Sequence, residues 1–304
     1  MKNLLVTGGL GHIGSRLIRH LLDEGHEVHC IDNLSTQRFI SLRGIIQNPN
    51  FTFYQFDLNK DSELIEKNFG SQKIDSVIHL SAITDAEGSH GKADEVHQNN
   101  FNSTKNIVQF CKNNTSKLIF PSSTSVYGTS ESEVFEDDER FLNPQSPYAE
   151  SKINEEIYIR ENLDSGFNIL RFGTIFGVSP GMRFHTAVNK FCWQAALRNP
   201  ITVWQTALNQ YRPYLEIKDA CNAVSFFLNE EHDAEVFNIL TENYTVKNII
   251  ETIQKYKEVD IQFVESKIMN QLSYFVKNDK INATGFNVSG NLDDAIRDTF
   301  NWLG

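Results

Sequence analysis

The sequence has few cysteines, and the four it has (Cys30, Cys111, Cys192, Cys221) lie far apart with no Cys-x-x-Cys spacing. That excludes a disulfide scaffold and a zinc ribbon, and the expectation is reduced thiols in a cytoplasmic protein. The nine histidines show no ligand spacing, so neither a structural nor a catalytic metal is expected. There is no basic excess. Lys and Arg number 28 against 39 Asp and Glu, a formal net charge of −11, which argues against nucleic acid and anionic membrane surfaces as partners. The apolar run Leu4-Leu5-Val6 meets Gly8 too soon for a signal peptide or a membrane span. Internal repeats and low-complexity segments are absent as well.

What is present is ordinary globular composition, with 40% hydrophobic and 22% charged residues in 304. A chain of this length buries roughly three quarters of its unfolded surface, enough for a full core. Short apolar runs alternate with helical patterns through the first half. Leu4–Val6, Glu27–Ile31, Phe51–Phe56, Ser76–Leu80, Leu118–Phe120 and Phe167–Phe172 read as strands. Ile13–Asp23, Ser62–Phe69, Asn99–Cys111 and Tyr148–Leu163 read as helices. Parallel strands need crossovers, so this alternation implies an α/β fold with a doubly wound, Rossmann-type parallel sheet.

Beyond residue 170 the pattern loosens. Helices are expected over Ala187–Leu197, Ala220–Leu228, Val246–Lys255 and Leu292–Trp302, with a strand over Val236–Leu240. The expected division is a first domain over 1–170 and a smaller α/β domain over 171–304, with crossings between them left open. The acidic stretch Glu131–Arg140 is expected to be a solvated loop, because it lacks the spacing of a calcium loop.

Three signals carry chemistry. Gly8-Gly9-Leu10-Gly11-His12-Ile13-Gly14 follows the first strand and opens the first helix. Glycines 8, 11 and 14 suit a tight turn, a close backbone approach to a pyrophosphate and close helix–strand packing. The helix N-terminus, with free N–H groups and the positive dipole end, faces the phosphates. Asp32, before Asn33 at the end of the second strand, suits the adenosine ribose hydroxyls and repels a 2′-phosphate, which favours NAD over NADP. Arg38 is the nearby feature that would weaken that preference. Asp57 suits either the adenine amino group or a helix N-cap.

The second signal is Tyr148-Ala149-Glu150-Ser151-Lys152, a phenol and an ammonium four residues apart on one helix face. The cation favours the phenolate and lowers the tyrosine pKa, so Tyr148 can take a proton from a substrate hydroxyl. The third is Phe120-Pro121-Ser122-Ser123-Thr124-Ser125-Val126-Tyr127-Gly128, hydroxyls at a strand end where doubly wound folds bind ligands.

These motifs resemble the extended short-chain dehydrogenase/reductase family, in its group of NAD-dependent nucleotide-sugar epimerases and dehydratases. The resemblance extends through Asp57-Leu58, His79-Leu80-Ser81-Ala82, Asn100, Leu170-Arg171-Phe172-Gly173 and Arg212-Pro213-Tyr214-Leu215-Glu216-Ile217-Lys218-Asp219. It implies Tyr148 as catalytic base, Lys152 on the nicotinamide ribose, and Ser123 as catalytic hydroxyl. It also implies Leu58, Leu80, Ser81 and Ala82 along the cofactor, Asn100 on the helix supporting the site, Thr84 facing the sugar, and Arg212 on a nucleotide diphosphate. A homodimer through a four-helix bundle, from helices near Asn99–Cys111 and Tyr148–Leu163, is implied too.

The departures bear on the reaction. Thr124 and Ser125 stand where the dehydratases carry Asp-Glu, which argues against 4,6-dehydration. Thr174 stands where several epimerases have asparagine, and Glu216 replaces a usual histidine. Thr124, Thr174, Arg183 and Asn189 are the remaining expected sugar-side residues. The expected activity is nucleotide-sugar epimerisation by transient oxidation of a hydroxyl. A ketoreductase, dehydrogenase or decarboxylase of the same family is the alternative, and a non-catalytic NAD-binding regulator a more distant one.

Overall fold

A computed structural model describes residues 1–84, 88–128, 130, 133–264 and 274–304. In chain order the strands are Asn3–Thr7 (β1), Glu27–Asp32 (β2), Phe51–Gln55 (β3), Ser76–His79 (β4), Lys117–Ser123 (β5), Glu133–Val134 (β6), Phe167–Phe172 (β7), Thr174–Phe176 (β8), Ile201–Trp204 (β9), Tyr211–Glu216 (β10), Glu235–Ile239 (β11), Glu242–Thr245 (β12), Ile261–Val264 (β13) and Phe275–Val276 (β14). The helices are His12–Asp23 (α1), Glu63–Phe69 (α2), Ala93–Asn114 (α3), Pro147–Asn162 (α4), Ala187–Ala196 (α5), Ile217–Asn229 (α6), Val246–Gln254 (α7), Asp279–Ala283 (α8) and Leu292–Leu303 (α9).

Seven strands form one parallel sheet in the order β11-β7-β5-β4-β1-β2-β3. The order reverses beside β1, so the carboxyl ends of β1 and β4 open a crevice there, the place where such sheets bind ligands. Helices cover both faces. On one face Ile107, Phe110 and Ile159 of α3 and α4 pack with Leu5, Val77 and Leu118. On the other, Leu17 and Leu21 of α1 pack with Val224 and Phe227 of α6. The strands are continuous apolar runs because both faces are buried.

The chain returns to this sheet after residue 170. β11 pairs with β7 from Glu235↔Asn168 to Ile239↔Phe172, and α6 shares the core of α1. The remaining elements build a second layer. β8, β10 and β12 form a three-stranded sheet. α5, α7 and α9 bury Phe191, Ile249, Ile253 and Ile296 against β9 and β10.

β5 runs three residues beyond the expected Leu118–Phe120, through Pro121. β4 pairs with β5 only as far as Ile119, so Pro121 removes a donor where one flank of the strand is already open. α3 begins six residues before the expected Asn99. In that added segment Val96 is the one fully buried apolar side chain, so periodicity carried little signal.

Among the described residues the acidic side chains of the expected solvated loop are exposed or half-buried, with Glu136 the exception. Glu131 lies outside the described residues. Glu133 pairs with Lys277, Asp137 with Lys280 and Glu139 with Arg160. Glu136 is buried and accepts from the Asn238 backbone and side chain, both at 3.0 Å. Its partners lie more than a hundred residues away, which the local charge run does not reveal.

All four cysteines are free and buried, and burial pushes their thiols up. Among the described residues no group of three or more His, Cys, Asp or Glu could hold a metal ion, and no helix is long and apolar enough to cross a membrane.

Candidate active site

One cavity of about 1640 Å³ gathers most of the expected site residues at the carboxyl edge of the sheet. A site for one drug-sized ligand occupies roughly 300–1,000 Å³, so this cavity has room for a dinucleotide and a second ligand together.

Its floor is the turn between β1 and α1, where Gly8, Gly11, His12, Ile13 and Gly14 line the cavity. Gly8 has φ +63°, and a Cβ there would lie 2.7 Å from the backbone nitrogen of Ser81. Only glycine lets the end of β1 touch the segment after β4. At Gly14 a Cβ would lie 2.6 Å from Gly9 Cα, so the helix could not approach the turn. Gly11 caps α1 without a side chain, and the first turn carries no acidic residue. The N–H groups and dipole of α1 are therefore available to an anion in the cavity. The cradle fits a pyrophosphate.

At one end of the cavity, Asp32 closes β2. Its Oδ2 accepts from the Leu10 N–H at 3.0 Å and its Oδ1 from the Leu34 N–H at 2.9 Å, which fixes the carboxylate at the cavity wall. Arg38 lines the same end and feels the Asp32 charge. Asn33 donates to Asp57 at 3.2 Å, and Asp57 also accepts from the Asn59 N–H at 2.9 Å. Asp57 thus shapes a turn and lines the cavity beside Leu58; the N-cap of α2 is Ser62.

Another part of the cavity is built by α4 and the end of β5. Ser146 Oγ accepts from the Ala149 N–H at 3.2 Å and Pro147 occupies the first turn, which starts α4 one residue before Tyr148. Lys152 follows one turn later, 3% exposed, with Nζ 4.4 Å from the Phe120 ring centre and 3.2 Å from Glu155 Oε2. Ser123 Oγ accepts from the Ser125 N–H at 3.1 Å, so the serine-rich strand end is also a capped turn. Ser123, Tyr148 and Lys152 all line the cavity, with Leu80, Ser81, Ala82 and Thr84 beside them.

The expected pull of Lys152 on the Tyr148 phenol is present, but the net direction is upward. Burial pushes the phenol up, and this outweighs the downward pull of Lys152. Glu155 adds to the rise, while a hydrogen bond from Ser123 and the charge of Arg183 act against it.

Three expected residues do not line the cavity. Thr124 is buried and donates to the Phe172 carbonyl at 3.2 Å, so the turn after β5 points it at β7. Asn100 accepts from the Ile83 N–H at 2.8 Å and donates to the Ile83 carbonyl at 3.0 Å, pinning the segment after β4. Asn189 accepts from the Gly177 N–H and donates to the Arg183 carbonyl, both at 3.1 Å, so it holds the loop after β8.

That loop closes over the glycine turn. His12 Nε2 lies 3.1 Å from the Gly177 carbonyl, and the Gly181 N–H donates to Ser15 at 2.9 Å. Burial holds the His12 ring well below its ordinary pKa, at about 4. Arg183 on this loop bonds the Thr84 hydroxyl and the His185 ring. Thr174 and Arg212 complete the far wall. Arg212 stacks 4.9 Å from the Tyr274 ring centre, and among the described residues its buried Nη2 has no hydrogen-bond partner. Sequence reasoning missed Lys190, Trp204 and Tyr274, which also line this cavity, because none belongs to a motif and only the fold brings them to it.

His79 lies beneath the site. It is buried, bonds Thr7 Oγ1 through Nδ1 at 2.7 Å, and is held down to about 3 by burial and then by Lys152. The ordinary value is 6.5, so the unfolded chain takes up the proton first as pH falls. The stability that neutral His79 confers is complete above pH 6.5 and is lost progressively as pH falls toward 3. Between pH 7 and 5 the loss is about 2 kcal/mol. Urea unfolding at both pH values should show that extra loss in the wild type and not in His79→Asn; equal losses would refute it.

A glycine cradle at a helix N-terminus, a ribose-end carboxylate and a Ser/Tyr/Lys set on one parallel sheet define a dinucleotide-binding short-chain dehydrogenase/reductase. Residues 4–239 match the NAD dependent epimerase/dehydratase family, and the chain belongs to it. Among curated relatives, the trifunctional UDP-glucose 4,6-dehydratase/UDP-4-keto-6-deoxy-D-glucose 3,5-epimerase/UDP-4-keto-L-rhamnose-reductase RHM2 of Arabidopsis thaliana is 26% identical over 99% of this chain. The chain spans 47% of that relative's length. The UDP-N-acetylglucosamine 4-epimerase from Methanobrevibacter ruminantium, solved with UDP-N-acetylmuramic acid, superposes with a TM-score of 0.88 at 25% identity, covering 99% of this chain and 97% of that one. The UDP-glucuronic acid 4-epimerase from Bacillus cereus, solved with UDP-glucuronic acid and NAD, gives 0.87 at 26% identity, over 99% and 98%.

Proposed function

We propose that the chain is an NAD-dependent nucleotide-sugar 4-epimerase, homodimeric and cytoplasmic. The observation that carries this reading is one cavity lined by the glycine cradle, by Ser123, Tyr148 and Lys152, and by Arg212 with its unpartnered Nη2. NAD, when bound, accepts hydride from the sugar carbon and returns it to the other face.

The protein's own residues do the rest. The cradle at Gly8, Gly11 and Gly14 seats the pyrophosphate, and Asp32 takes the adenosine ribose. Lys152 takes the nicotinamide ribose and draws the phenol toward ionisation. Tyr148 removes the proton from the sugar hydroxyl and returns it when the hydroxyl re-forms, while Ser123 holds that oxygen in place. Arg212 takes the diphosphate of the substrate, since its buried Nη2 has no partner among the described residues and is costly until an anion meets it. Residues 1–170, joined by α6 and β11, serve the cofactor, and the rest of 171–304 serves the nucleotide sugar. Arg183 acts on Tyr148 through its charge, in the same sense as Lys152.

The dimer reading rests on α3 and α4, which pack side by side and leave Ile157 45% exposed on the outer face. A monomer by light scattering at micromolar concentration would refute it. The cytoplasmic reading rests on four unbridged cysteines.

The activity test uses purified protein, a panel of nucleotide sugars and catalytic NAD with no reductant. A product of unchanged mass and new retention time, without net reduced cofactor, is expected. A product of changed mass replaces the epimerase reading with redox, dehydration or decarboxylation chemistry.

A further inference from the structure

α4 carries two consecutive buried acids, Glu155 and Glu156, with different partners. Glu156 is neutralised by Arg171 at 2.7 Å, away from the cavity. Glu155 is 0% exposed and, among the described residues, its cation is Lys152, 3.2 Å away. Two hydroxyls hold it from two helices. Thr104 of α3 donates to Oε2 at 2.7 Å, and Ser151 of α4 donates to Oε1 at 2.9 Å.

The Lys152 ammonium therefore stands between two groups. Behind it is a fixed carboxylate, and before it is the cavity with Tyr148. A buried ion pair persists only when further hydrogen bonds satisfy its remaining lone pairs, as Thr104 and Ser151 do here. We infer that Glu155 is a positioning residue: it fixes the Lys152 ammonium against α3 and offsets part of the field that this ammonium exerts on Tyr148. The inference rests on the reading of Tyr148 as the base.

Among the described residues, three charged or titratable groups act with this pair or on Tyr148. Tyr148 lies on α4 itself, His79 comes from β4, and Arg183 comes from the loop after β8. His79 is held neutral by burial, and Arg183 acts in the same sense as Lys152. Among the described residues, Glu155 is thus the acid that opposes the phenolate. With Glu155 in place the phenol stays protonated in the empty site, and the positive nicotinamide ring of NAD supplies the remaining pull when it arrives.

The test is ultraviolet difference titration of cofactor-free protein, with Tyr148→Phe identifying the signal of that phenol. In Glu155→Gln, Tyr148 should ionise roughly one pH unit lower. The acid limb of the activity profile should move with it. Glu155→Asp keeps the charge and should leave both near the wild-type position. A titration unmoved in Glu155→Gln, or moved equally in Glu155→Asp, overturns the inference. If Glu155→Gln does not fold, Thr104→Val removes one anchor and leaves the charge. It should weaken NAD binding several-fold without moving the titration; unchanged affinity overturns the positioning role. If Tyr148→Phe keeps full turnover while Glu155→Gln still shifts the phenol, the catalytic reading fails and the electrostatic one stands.

Discussion

Tyr148→Phe is expected to bind NAD as the wild type does and to lose about 10²–10⁴-fold in turnover, the usual worth of a positioned general base. The ring stays where α4 places it, because Ser146 and Pro147 set the start of the helix independently of the phenol. The pyrophosphate cradle and Asp32 lie on β1, α1 and β2 and are untouched. What disappears is one hydroxyl, hydrogen-bonded to Ser123 and under the charge of Lys152. Calorimetric NAD affinity and kcat on an active nucleotide sugar check both halves. In the wild type, activity should rise with pH as the phenol ionises, and burial places that limb high until Lys152 and the cofactor pull it down. Full turnover in the variant would sink the assignment of Tyr148.

Removing Glu156 should have the largest effect on stability. Its carboxylate takes Arg171 in a fork, Nη2 at 2.7 Å and Nε at 3.1 Å, and both side chains are buried. Arg171 also donates to Tyr127 at 2.9 Å, Tyr127 to Asn238 at 2.7 Å, and Ser122 donates to Glu156. The network ties α4, β5, β7 and β11 together directly behind the reacting end. Glu156→Ala leaves an uncompensated buried guanidinium and should cost about 3–5 kcal/mol. The melting temperature should then fall by roughly 10 °C. The double variant Glu156→Met with Arg171→Met buries no charge and should cost less than the single one. A double variant at least as damaged as the single one would refute this account. Because Ser122 adjoins Ser123, kcat should fall in Glu156→Ala even where the fold survives.

Much of the site was legible because its parts are contiguous. The glycine turn is strand, loop and helix start in a dozen residues, and Tyr148 and Lys152 are one helical turn apart. Local geometry is enough for both. Thr124 and Asn189 are expected on the sugar side and Asn100 on the supporting helix, and in the structure all three brace the cavity wall. The side chain at a strand end or loop turns inward or outward by a single residue of register, which no short motif encodes. The rise of the Tyr148 pKa was equally hidden, because burial is a property of everything packed around the ring.

The sequence by itself determined the alternation of strands and helices, the dinucleotide cradle and the phenol–ammonium pair, since periodicity and turn chemistry act over a few residues. Only the tertiary structure decided the return of α6 and β11 to the first sheet, the unpartnered Nη2 of Arg212 and the hold of Thr104 on Glu155 across 51 residues. Those contacts join residues far apart in the chain, and their energies depend on burial and charge that exist only once the layers have packed.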